Sequence, residues 1–219
     1  MRLIDVSQTL EHNSPGAPFY PRPRFKLPRN KAATEGWNAE MLTLPSHCGT
    51  HLDMPNHKLA QWKSSSEFPL EVFVGSAHVL YFRDAAPRTQ ITASMLKEKL
   101  PNLARNRIVL IATGWAQKRG HNDVWYYDVP YLTPDAAGFL ADHHITGVGI
   151  DHWTIGGSED PLMSLTHTIL MAGNCWIVEN LKFGLDAFDL PQPVEFWALP
   201  IKLSKQVSGC FCRAVIRIP

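Results

Sequence analysis

Between residues 107 and 151 the chain carries the pattern that most restricts its fold: two short apolar runs flanking a capped helix. Residues 107–112 (Arg-Ile-Val-Leu-Ile-Ala) form a nearly continuous apolar run that stops at Thr113-Gly114, as a strand buried on both faces does. Thr133 followed by Pro134 is an N-cap with proline in the first helical position, so a helix is expected over 134–143. Gly147-Val148-Gly149-Ile150-Asp151 then makes the next strand. Strand, helix, strand is a βαβ unit with a parallel sheet. Asp151 falls at the carboxyl end of a strand, where α/β sites usually form.

The flanking sequence adds strands and helices around this unit. Residues 1–10 read as a strand, and the passage from Pro15 to Pro28 reads as an extended loop because prolines fix its turns. Strands are expected at 38–44 (paired with the segment that follows it), 76–82, 175–179, 195–202 and 211–218. A short helix is expected at 91–100 with Thr92 as N-cap. A second, over 162–171, is stopped by Gly173-Asn174. There is no internal repeat or flexible linker, so one domain over 1–219 of α/β class is expected.

Composition excludes several function classes. The net charge is +1, and the densest basic cluster (Arg22, Arg24, Lys26, Arg29, Lys31) is broken by prolines, which reads as a solvated loop. Nucleic acid and anionic membranes are therefore not expected partners. No apolar run approaches the ~20 residues of a membrane span, and Met1–Val6, with its acid at position 5, does not read as a secretory signal. Four cysteines are too few for a disulfide scaffold, so a reduced, cytoplasmic setting is expected.

The chemistry concentrates in His47-Cys48-Gly49-Thr50-His51-Leu52-Asp53-Met54-Pro55-Asn56-His57. With ten histidines in 219 residues, an 11-residue window holds about half a histidine by proportion; this one holds three. A helix is disfavoured by Gly49, Thr50 and Pro55. In a strand, period two puts His47, Gly49, His51, Asp53, Pro55 and His57 on one side, with Cys48, Thr50, Leu52 and Met54 on the other. Such a strand must end near Asp53 and turn at Pro55. Cys48 is then a packing residue. Imidazoles with a carboxylate suit zinc, manganese or iron. His167, Glu179, Asp151 and His152 are the candidate partners from farther along the chain.

This window resembles the His-x-Gly-Thr-His-x-Asp-x-Pro-x-His signature of the cyclase-like metal-dependent hydrolases, of the bacterial kynurenine formamidase and isatin hydrolase type. Similarity extends to Asp5-Val6-Ser7-Gln8-Thr9-Leu10, Pro69-Leu70-Glu71, Thr113-Gly114-Trp115, Ile150-Asp151, His167 with Glu179-Asn180-Leu181, Ala198-Leu199-Pro200 and Arg213-Ala214. The resemblance implies a swivelling β/β/α domain with a mixed sheet, forming a homodimer or homotetramer. By it, His47, His51 and Asp53 bind metal, Asp53 bridging two ions, and His167 and Glu179 complete the site. His57 is then the acid/base residue, and the cofactor is Zn²⁺ or Mn²⁺, one or two ions per subunit. Three segments depart from the formamidase pattern: Lys58 stands where phenylalanine is usual, Phe19-Tyr20-Pro21-Arg22 stands where Trp-x-Gly-Asp is frequent, and Asp151-His152-Trp153-Thr154-Ile155-Gly156-Gly157 is not a typical formamidase sequence.

The chemistry so implied is hydrolysis of a formamide or cyclic amide by metal-activated water, on a small-molecule substrate. Phe19, Tyr20, Trp37, Trp115 and Trp153 are candidates for an aromatic wall, with Asp151 and His152 as further substrate-binding candidates. The alternatives are a metal-dependent lyase or cyclase and a catalytically degenerate small-molecule binding protein. Net water uptake by the product separates hydrolysis from the first, and a tight ligand without turnover identifies the second.

Overall fold

The computed structural model describes residues 1–26, 31–83, 85–105, 107–184 and 190–218. Along them run β1 (Arg2–Asp5), β2 (Arg24–Lys26), α1 (Lys31–Glu35), β3 (Met41–Thr43), β4 (His51–Asp53), β5 (Val74–Tyr81) and β6 (Gln90–Ile91). There follow α2 (Ala93–Lys99), β7 (Ile108–Ala112), α3 (Asp123–Tyr127), β8 (Tyr131–Leu132), α4 (Pro134–Asp142), β9 (Gly147–Ile150) and α5 (Leu162–Ala172). The last elements are β10 (Trp176–Glu179), β11 (Val194–Trp197), β12 (Gly209–Phe211) and β13 (Val215–Ile218).

Nine strands form one mixed sheet in the order β1-β13-β11-β5-β7-β9-β10-β4-β12. Its centre, β5-β7-β9-β10, is parallel, and the flanking pairs are antiparallel. Every residue of β7 and β9 is buried, as their unbroken apolar runs require. Alternation divides their side chains between two cores. Ile108, Leu110 and Ala112 join Trp176 and Phe196 on one face, whereas Val109 and Ile111 meet Leu96 of α2, Leu140 of α4 and Leu170 of α5 on the other. Each fully buried leucine or isoleucine contributes roughly 2 kcal/mol relative to exposure. This is the expected α/β architecture with a mixed sheet and helices packed on one side.

The register at one end of the sheet positions the chemistry. β4 is sandwiched between β10 and β12, both antiparallel to it. His51 lies opposite Glu179, and Asp53 lies opposite Gly209. Leu52 points into the first core, so His51 and Asp53 point to the other face, towards α5.

Helix ends fall where the sequence places them, although the Thr133 hydroxyl at the start of α4 donates to Ile91 O instead of capping the helix. Thr92 accepts the Met95 amide at α2, Pro134 occupies the first turn of α4, and α5 ends at Gly173 with Asn174 left-handed. Other boundaries differ. The segment expected as strand 38–44 is β3, and it pairs with β2 from the proline-rich passage rather than with the histidine motif. Its residues are exposed, and the two form a separate ribbon. The strand expected over 211–218 is two strands, because Phe211 pairs with β4 whereas Val215 pairs with β1 and β11. Leu27 and Pro28 of the proline-rich passage and Arg29 of the basic cluster lie outside the described residues.

Asp151 has a structural task. It is fully buried at the end of β9 and accepts from Thr113 N (3.0 Å), Thr113 Oγ1 (2.6 Å) and Gly114 N (2.7 Å). Burial pushes its carboxyl up to about 6, against the downward pull of those hydrogen bonds. The clamp ties the end of β7 to the end of β9 just where Gly114 turns at φ 78°. Asp151→Ala leaves buried amides without an acceptor, and we expect a stability loss of about 3 kcal/mol, read from the urea midpoint. An unchanged midpoint would show that the clamp carries no load.

Candidate metal centre

Three segments bring five side chains together. His51 and Asp53 stand on β4, Glu179 at the end of β10 and His167 in the middle of α5. His47 arrives differently. The strand does not extend back to it, because Gly49 is left-handed (φ 60°) and the chain bends over 47–50. Period two therefore accounts for His51 and Asp53 but not for His47 or His57. The bend lays the His47 ring over Gly209 of β12, where a Cβ would lie 2.7 Å from the imidazole. Only glycine fits beneath that ring.

The resulting contacts are short and nearly dry. His47 Nδ1 lies 2.6 Å and His51 Nε2 3.1 Å from Asp53 Oδ1. His167 Nε2 lies 3.6 Å from Asp53 Oδ2 and 3.2 Å from Glu179 Oε1, and His51 Nε2 is 3.9 Å from Glu179 Oε2. His47, His51 and Asp53 form one group with donor atoms within 4.8 Å of one another, and Asp53, His167 and Glu179 form a second. Asp53 belongs to both.

This donor set fits a divalent cation. His51 Nδ1 donates to Gly49 O (2.9 Å) and His167 Nδ1 to Met163 O (2.7 Å). In the neutral rings these bonds leave lone pairs on Nε2, aimed at carboxylate oxygens that also carry lone pairs. His51 Nε2 is buried without a hydrogen-bond partner. Only positive charge between the facing acceptors relieves that arrangement. In the metal-free cluster protons supply it. Burial lowers the His167 pKa, but hydrogen bonds to Asp53 and Glu179 override this and raise it to about 10. Burial also works to raise Asp53, yet the charges of His47 and His51 hold it well below the usual carboxylate range. Glu179 is raised by burial and by the Asp53 charge.

His57 stands beside this cluster. A one-turn helix, Pro55–His57, ends the motif and sets the His57 ring 4.1 Å from that of His47 and 6.3 Å from that of His167. Burial lowers the His57 pKa to about 4. A cavity of about 400 Å³ opens over both, with His47, His51, Asp53, His57, His167 and Glu179 in its floor. Tyr20 stacks on His47 at 5.7 Å, Phe19 packs against Tyr20 at 4.8 Å, and Trp153 lies 6.1 Å from Phe19. These three of the five aromatic candidates line the cavity.

Trp37, Trp115, Asp151 and His152 do not line it. Trp37 is largely exposed, whereas Trp115 is turned under by the Gly114 bend into a core with Trp125 and Trp153. Asp151 is spent on Thr113 and Gly114. His152 is fully buried, and burial lowers its imidazole pKa to about 3. Cys48 is buried away from the donor groups, consistent with packing.

Two residues of the site have no sequence signal. Ser208 Oγ lies 3.2 Å from His47 Nε2 and 3.5 Å from His57 Nδ1, bridging the two imidazoles, and Gly209 makes room for the His47 ring. A Ser-Gly pair in a loop reads as a turn. Ile155, in the divergent 151–157 segment, donates its amide to Glu179 Oε1 at 2.8 Å and so orients that carboxylate.

Known proteins share this arrangement of chain and fold. The chain is similar to kynurenine formamidase of Geobacillus thermodenitrificans (strain NG80-2), 29% identical over 222 residues, covering 98% of this chain and 96% of the relative. It is 27% identical over 214 residues to kynurenine formamidase of Bacillus thuringiensis (strain Al Hakam), with the same coverages. The crystal structure of an isatin hydrolase bound to the product analogue thioisatinate superposes with a TM-score of 0.88 at 20% identity, covering 99% of this chain and 92% of that one. The Cyclase family model matches residues 4–156. With most of its length matched, including the whole histidine motif, the chain belongs to the Cyclase family.

Proposed function

We propose that the protein is a metal-dependent hydrolase that cleaves a carbon–nitrogen bond in an aryl formamide or a cyclic amide. The observation that carries this reading is the convergence of three imidazoles and two carboxylates under an aromatic-walled cavity, with a further histidine beside them. The formamidase relatives and the isatin hydrolase fold support the same reaction class.

In this reading His47, His51, Asp53, His167 and Glu179 hold Zn²⁺ or Mn²⁺, one or two ions, with Asp53 shared between the two donor groups. A bound divalent ion supplies Lewis acidity that makes water a competent nucleophile near pH 7. The chain's own residues do the rest. Gly49 O and Met163 O fix the tautomers of His51 and His167, and Ile155 N fixes Glu179. Tyr20, Phe19 and Trp153 seat a planar ring and keep bulk water from the floor. His57 carries the proton to the leaving nitrogen. Its Nδ1 faces Ser208 Oγ, which leaves Nε2 for that transfer, and a neutral ring is the form that accepts a proton first. Cytoplasmic residence, a homodimeric or homotetrameric state and action as one domain belong to the same reading.

Three outcomes follow. Formanilide or isatin hydrolysis stops when metal is stripped by chelation and returns on adding Zn²⁺ or Mn²⁺; full turnover by metal-free protein would sink the reading. His57→Ala lowers kcat by at least about a hundredfold while metal content by mass spectrometry stays near the wild-type value. Gly209→Ala pushes the His47 ring aside, so metal affinity falls by about tenfold or more in competition with a chromogenic chelator. Unaltered affinity would mean that His47 is not a ligand.

A further inference from the structure

The floor and back wall of the cavity are imidazole, carboxylate and aromatic ring, but its mouth carries an ammonium group. Lys58, the residue after His57, lines the cavity and is exposed. Its Nζ sits 2.7 Å from Ser164 Oγ in the first turn of α5, a neutral partner. Among the described residues no carboxylate comes within ion-pair distance of it. The acid on the same rim is Asp160, and its Oδ1 accepts the Ser164 amide at 3.2 Å. Lys58 is thus held at the entrance by a hydroxyl, with its charge unpaired and facing the space that a bound molecule fills. It is also the single lysine or arginine among the lining residues. One cation suits a monoanion rather than a phosphate, which usually gathers several donors.

We propose that Lys58 makes the mouth of the cavity a carboxylate subsite, so that the favoured substrates are aryl amides with a carboxylate on or near the ring. The aromatic body lies against Tyr20, Phe19 and Trp153, the amide reaches the floor beside His57, and the carboxylate exchanges for the Ser164 hydroxyl at Lys58 Nζ. The term substrate rests on the hydrolase reading above; the subsite itself does not.

The test uses metal-loaded protein and two isosteric probes, benzoate and nitrobenzene, titrated calorimetrically into wild type, Lys58→Met and Lys58→Arg. A charge-assisted hydrogen bond at a partly wet site predicts that Lys58→Met weakens benzoate about tenfold. Nitrobenzene should change less than about twofold, since it lacks the charge. Lys58→Arg should keep most of the benzoate affinity. Equal benzoate affinity in wild type and Lys58→Met, or no benzoate binding to wild type, overturns the subsite. Should Lys58→Met fold poorly, Lys58→Gln replaces it. Formanilide turnover is followed on the same samples. Its absence counts against the hydrolase reading, while the benzoate comparison still decides the subsite.

Discussion

Burying Asp53 and Glu179 on one face of the sheet, with acceptor nitrogens aimed at both, would be prohibitive in a fold that left them alone. An unpaired buried carboxylate loses several kcal/mol of hydration, and two of them repel. The antiparallel register of β4 against β10 nevertheless places His51 beside Glu179, and α5 brings His167 down onto both acids. The chain spends backbone groups on this: Gly49 O, Met163 O and Ile155 N each fix one member. A purely structural core would have no reason to aim lone pairs at lone pairs. Positive charge is the missing term, and a divalent ion supplies more of it than protons can while leaving the histidines neutral.

The parallel centre of the sheet is what makes that register rigid. β7 and β9 are buried on both faces, and Asp151 locks their ends together. The loop after β9 can then reach across to Glu179, while α5, packed through Leu170 and Met171, keeps His167 at a fixed height. The aromatic wall hangs from a different part of the chain, the passage around Phe19 and Tyr20. Floor and wall meet in the loop after β9, where Trp153 faces the cavity and Ile155 holds Glu179, and again where Tyr20 stacks on His47.

Much of this was legible in the residues. The apolar runs at 107–112 and 147–151 and the Thr-Pro cap identified the βαβ unit, and period two placed His51 and Asp53 on one face. What could not be read were contacts between distant segments. His47 joins the site through a left-handed turn at Gly49 and a glycine 162 residues away, a pairing no local pattern encodes. Ser208 is equally silent. Trp115 and Trp153 both follow strands and pack in one small core, and nothing nearby tells that only Trp153 also reaches the cavity. The strand at 38–44 was legible as an extended segment, but its partner was hidden in the proline-rich passage, where Arg24–Lys26 lacks an alternating apolar face.

The most direct test is the thermal stability of metal-stripped protein titrated with Zn²⁺ and with Mn²⁺. A cation that binds only the folded cluster must raise Tm in a saturable way, by the equivalent of about 2.7 kcal/mol at a hundredfold excess over Kd. The account predicts that rise for at least one ion, and its loss in Glu179→Gln. A Tm that neither ion moves, in protein that retains no metal after dialysis, would contradict it.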